Sequence, residues 1–150
     1  KSYKGCNVFL SMKKIIFTVL FAIFGVCAFG QKNSTDSLTV ELKKYKVIEQ
    51  TLPAFGTQKA IEGVVIIKTA EGKTAKHNFL APIINGSVYH VVVYDSNKQR
   101  QEPRIYYRSS EKCLTYYENT DSEGKVDVSY ILDQKDLVLE ALKIWAKLVY

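Results

Sequence analysis

The chain has 150 residues and a formal net charge of +6, but the excess sits at one end: residues 1–30 carry four Lys and no acid, while residues 31–150 carry 17 basic against 15 acidic side chains, a net of +2. A +2 domain has no electrostatic footprint for nucleic acid. Of the 120 residues after position 30, 51 belong to the AVILMFWYC set, enough for one ordinary core and too many for a disordered chain.

Met12-Lys13-Lys14 precedes an apolar run from Ile15 to about Gly30, and the chain turns polar at Gln31-Lys32-Asn33-Ser34. A basic start, an apolar stretch and Ala28-Phe29-Gly30 before Gln31 predict a signal peptide over 12–30, with a mature chain from Gln31. Residues 1–11 lie upstream of the only Met and read as over-extended translation. The short Lys-Lys start is bacterial in style, which places the mature protein in the periplasm or outside the cell, with membrane contact only transient. Two readings compete. An uncleaved anchor needs ~20 apolar residues, and the run has about 16. Lipidation of Cys27 needs a small residue before it, and Val26 stands there. Cys6 lies upstream and Cys27 in the leader, so the mature chain keeps only Cys113 and has no internal disulfide. Cys113 is expected as a small apolar strand residue.

After a capping Asp36-Ser37, residues Leu38, Leu42, Tyr45, Ile48 and Leu52 follow at spacings of four, three, three and four. This predicts an N-terminal helix stopped by Pro53 and Gly56, although Ser37–Leu42 also alternates as a short strand would. Val64-Val65-Ile66-Ile67 is strand composition. Ala70-Glu71-Gly72 then reads as a hairpin loop pairing Ile67 with Ala75 and Val65 with His77. Asn85-Gly86 predicts a type I′ turn joining 80–84 to 87–94, and Pro82 predicts an edge or a kink. A polar connection over 95–103 leads to strands at 104–108, 112–118 and 126–133. Turns at 109–111 and 122–124 join them, the second pairing Leu132 with Leu114 and Tyr130 with Tyr116. Asp133 caps a C-terminal helix with Leu137, Ala141, Ile144, Trp145, Leu148 and Val149 on its apolar face. The expected fold of 31–150 is one α+β domain: an antiparallel meander of about six strands, one N-terminal helix, and a C-terminal helix packed on one face.

Phe55-Gly56, then Gly63-Val64-Val65-Ile66-Ile67 and Thr69, resembles the segment that ends the plug domain of TonB-dependent outer-membrane receptors. The likeness covers fewer than 20 residues, and no function is carried over from it.

Catalytic constellations are not legible. The chain has no Gly-rich phosphate loop, Cys-x-x-Cys, His-Glu-x-x-His or Gly-x-Ser-x-Gly. His77, His90 and Cys113 have no metal-ligand spacing. Glu118, Asp121, Glu123, Asp127 and Asp133 cluster around a hairpin tip, where carboxylates are ordinarily solvated. No metal, no cofactor and no catalytic residue is therefore expected. The informative feature is a polar sheet face on which Tyr106 and Tyr117 are flanked by Arg104 and Arg108, aromatic surface beside fixed positive charge. Lys98 and Arg100 in the preceding connection border it. The expected function is a non-catalytic binding or interaction module, its partner a small anionic or sugar ligand or an envelope protein. The alternatives are an envelope structural component and a small secreted hydrolase, which would need His77 or His90 inside a pocket.

Overall fold

A computed structural model describes residues 37–150; the leader and the residues before it lie outside the described residues. Eight strands form one antiparallel sheet: β1 (Thr39–Leu52), β2 (Gly56–Lys68), β3 (Thr74–Ile84), β4 (Ser87–Val88), β5 (His90–Tyr94), β6 (Arg100–Arg108), β7 (Cys113–Tyr117) and β8 (Glu123–Asp127). Among the described residues a single helix, α1 (Gln134–Val149), follows. The sheet runs β1-β2-β3-β5-β6-β7-β8, with β4 paired beside β5 on β3. Among the described residues no helix is long and apolar enough to cross a membrane.

The expected N-terminal helix is instead β1, laddered to β2 from Thr39↔Lys68 to Leu52↔Gly56. The register slips once, between Leu42 and Lys44, and this bulge accounts for one step of the misleading periodicity. Val40 and Leu42 pair with the buried Ile67 and Val65; after the bulge Tyr45 and Val47 pair with Gly63 and Ile61. The side shared with α1 thus passes from even to odd positions, yet Tyr45 and Val47 on it are exposed, while Ile48, Gln50 and Leu52 on the other side are half-buried. The step of three that the bulge creates between Leu42 and Tyr45 imitates a helical repeat. Pro53 and Gly56, read as helix stops, close the hairpin: Phe55 N–H donates to the Leu52 carbonyl at 3.1 Å, and Gly56 takes φ +68°. With this strand, and with the 87–94 segment divided into β4 and β5, the expected six strands become eight.

The central hairpins follow the expected registers. Ile67 pairs with Ala75 and Val65 with His77. Asn85 and Gly86 both take positive φ, and Ile84 pairs with Ser87. Pro82 is not at an edge. It lies in β3 opposite the break between β4 and β5, where Tyr89 N–H donates to its carbonyl at 2.8 Å. The long polar connection shrinks to a turn, because Asp95 Oδ1 accepts from the Asn97 and Gln99 backbone N–H groups and β6 starts at Arg100.

Between β7 and β8 the expected register is six residues off: Leu114 pairs with Val126 and Tyr116 with Gly124. Asn119 sets the turn early by accepting the N–H groups of Asp121 and Ser122, and Gly124 is a packing glycine beneath the Tyr116 ring. Six is even, so every β8 residue keeps its expected face. Tyr130 and Leu132 fall beyond the strand and are 70% and 96% exposed.

One face carries the core. Ile61, Val65, Ile67, Phe79, Val91, Val93, Ile105 and Leu114 lie buried there against Leu137, Val138, Ala141, Leu142 and Trp145 of α1. Asp133 caps the helix, accepting from Lys135 N–H. The Gln134 side chain accepts from Val88 N–H at 2.8 Å, fixing the start of α1 over the β4–β5 break. Leu148 and Val149, expected on the apolar face, are partly exposed in the last turn.

Candidate functional site

The sheet pleat sends alternate residues of β6 and β7 to the face opposite α1. The pairs Tyr106↔Thr115 and Arg108↔Cys113 put Arg104, Tyr106, Arg108, Cys113, Thr115 and Tyr117 there together. The same register, extended two residues past its last pair, sets Arg104 opposite Tyr117. The four sequence-predicted binding residues therefore share one face.

Their surroundings differ. The Arg108 guanidinium is held by Glu123 and by Glu111 at 3.5 Å. Glu111 lies in the turn that follows β6, and Glu123, at the start of β8, is met by the Arg108 side chain reaching diagonally across β7. Arg104 sits in mid-strand. Its backbone N–H donates to Glu102 at 3.2 Å, and its Nε stands 3.8 Å from the same carboxylate. This long contact to Glu102 is the ion pair that Arg104 makes among the described residues, and its side chain is half-buried. Tyr117 is exposed at the end of β7.

Tyr106 joins an aromatic cluster that sequence reading did not anticipate. His90 pairs with Tyr106 across β5–β6, their rings 5.5 Å apart and edge-to-face. Tyr89, at the β4–β5 break, lies 5.1 Å from His90, 6.2 Å from Tyr106 and 5.8 Å from Phe55 of the β1–β2 turn. Phe55 and Tyr89 are 45% and 41% exposed. Only the folded sheet joins positions 55, 89, 90 and 106; the sole sequence signal was Pro82, whose missing N–H marks where β4 and β5 part. Burial, with the positive field of Arg104 and then Arg100, pushes the His90 imidazole down to about 4. Its Nδ1 is buried without a protein partner.

His77 is elsewhere. Its pairing with Val65 puts it on the core face, its Nε2 2.6 Å from the Tyr150 hydroxyl and its ring edge-on to Trp145. Burial lowers its pKa, and the nearby Tyr94 carbonyl, short of hydrogen-bond geometry with Nδ1, opposes this. The two histidines thus occupy opposite faces. Among the described residues no three His, Cys, Asp or Glu side chains are grouped to hold a metal ion. Cys113 is buried, and burial followed by Glu111, 3.8 Å from Sγ, pushes its thiol up, the reverse of nucleophile activation. Beyond α1, Leu38, Thr69, Ala70, Glu71, Lys73, Lys147 and Tyr150 line a recess of 680 Å³ that holds none of the predicted residues.

Comparison of the chain with protein-family models, with curated proteins and with solved structures gave no match.

Proposed function

We propose that the protein is an exported, non-catalytic binding module whose ligand seats on the sheet face opposite α1, over Arg104 and Tyr106. The observation that carries this reading is the contrast between the two arginines. Arg108 is neutralised by two carboxylates, whereas Arg104 has one long contact, 3.8 Å from a carboxylate it shares with Arg100, beside a partly exposed aromatic cluster. A planar fork with free donors recognises carboxylate, sulfate or phosphate oxygens in pairs, and adjoining rings supply desolvated contact area. Export rests on the leader pattern over 12–30. Arg104 and Tyr106 bind; Tyr117 lies on the same face, and Arg108 shapes its border.

The test is an NMR titration of the mature chain with acidic oligosaccharides, sulfated sugars and dicarboxylates. Amide shifts are expected on β5–β7 and are expected to vanish in the Arg104→Ala, Tyr106→Ala double variant. Shifts confined to the recess around Thr69 and Tyr150, or shifts unchanged in the double variant, would overturn the reading.

A further inference from the structure

We infer that the ligand of this face is an acidic sugar, an oligosaccharide of uronic-acid type, with its carboxylate on Arg104 and its ring face on Tyr89 and Phe55. The inference rests on the binding-module reading above and names the chemistry that the site selects.

Three features of the cluster narrow the choice. The first is charge. Among the described residues the carboxylate paired with Arg104, that of Glu102, is shared: it lies 3.0 Å from Arg100 Nε and 3.8 Å from Arg104 Nε. A ligand carboxylate can therefore dock on Arg104 without first displacing a tight ion pair.

The second is ring geometry. Tyr89 and His90 both stand edge-on to Tyr106, at 89° and 86°, while Phe55 and Tyr89 open to solvent at 56° to each other. Perpendicular rings leave no parallel slot for a flat aromatic acid. An exposed, stepped platform instead fits a pyranose, whose C–H faces are apolar while its rim is polar. An inorganic anion would use Arg104 and leave the platform in water.

The third is the neighbourhood of the platform. His90, packed between Tyr89 and Tyr106, is neutral at physiological pH and adds no second cation beside Arg104. The exposed Tyr117 continues the aromatic surface past Arg104, giving a stripe long enough for more than one sugar unit.

The experiment is calorimetric titration of the mature chain with trimers of galacturonic, glucuronic and mannuronic acid. The carboxyl-reduced neutral trimers and sodium sulfate are run beside them. At least one uronate is expected to bind. Loss of a charge-assisted pair predicts about 10-fold to 100-fold weaker binding for Arg104→Ala and for the neutral trimer. Tyr89→Ala is also expected to weaken binding, and Lys147→Ala, at the recess away from this face, to leave it within about twofold. Circular dichroism confirms that each variant is folded, and Arg104→Lys, which keeps the charge and loses the fork, is expected to fall between wild type and Arg104→Ala. Equal binding of the neutral trimer removes the carboxylate assignment, and full competition by sulfate with no effect of Tyr89→Ala reduces the site to a simple anion site; in both cases the face remains a binding surface. No uronate heat, with NMR shifts on β5–β7 from another ligand, overturns the sugar class alone. The absence of any response on β5–β7 overturns the binding reading as well.

Discussion

At the scale of single residues, the side chain with the most measurable consequence is His90. Its folded pKa, about 4, lies below the ~6.5 of an unfolded histidine. Between these values the unfolded chain binds the proton and the folded chain does not. His90 therefore contributes stability that is complete above pH ~6.5, falls as the pH drops through this window and is gone below about 4. Urea unfolding at pH 7, 5.5 and 4 should show this loss, and His90→Phe should flatten that part of the profile. A profile identical in wild type and variant would mean that the imidazole is not held neutral. Gly63 and Gly124 make a second contrast. A Cβ on Gly63 would stand 2.0 Å from the Lys44 carbonyl, a backbone atom fixed by the β1 bulge. On Gly124 it would meet the ring of the half-buried Tyr116, which can turn aside. Gly63→Ala should cost about 3 kcal/mol and Gly124→Ala about 1 kcal/mol or less, measured by thermal unfolding.

At the scale of elements, α1 is an amphipathic helix anchored at both ends of its packing face. Trp145 is fully buried and touches His77, so Trp145→Ala should cost about 3–5 kcal/mol and shift the His77 resonances. Asp133→Ala removes the acceptor for Lys135 N–H and should cost about 1 kcal/mol, without moving the aromatic cluster on the opposite face. β1 is the outermost strand and bears Lys43, Lys44 and Lys46 around its bulge. Charge and a bulge are both devices that blunt an open sheet edge. Here the bulge also produced the Leu42–Tyr45 step of the helix-like spacing, so one feature serves the strand's protection and contributed to the failed helix expectation.

At the scale of the molecule, the sheet has two unlike faces. The face under α1 holds the large buried side chains, and the other gathers Arg104, Tyr106, His90 and Tyr117. The first can be repacked only at a cost in stability, whereas Arg104 and the exposed rings can change with little effect on folding. Arg104→Ala should therefore leave the melting temperature within about 2 °C of wild type, as expected of a surface substitution. Export is tested on the whole chain. Expressed from Met12 in a bacterium, it should be recovered with a mass that begins at Gln31, and a lipid-bearing or uncleaved mass would contradict the leader reading.

What the sequence determined by itself was local and periodic. Asn85-Gly86 and Gly72 announced their turns because few residues accept positive φ. The alternation in β2, β3, β6 and β7 assigned faces because a strand's side chains repeat every two residues. That is why Arg104, Tyr106, Arg108 and Tyr117 were placed on one surface, and why a six-residue error in the β7–β8 register left every strand residue on its expected face. Tertiary structure decided what depends on partners distant in the chain. β1 became a strand because β2 satisfies its backbone along its whole length, which a short-range pattern broken by a bulge does not reveal. Phe55, Tyr89, His90 and Tyr106 became one cluster only when three hairpins brought them side by side. The difference between the two arginines was set largely by Glu123, which stands 15 residues from Arg108 in the chain and reaches it only because the β7–β8 hairpin folds back.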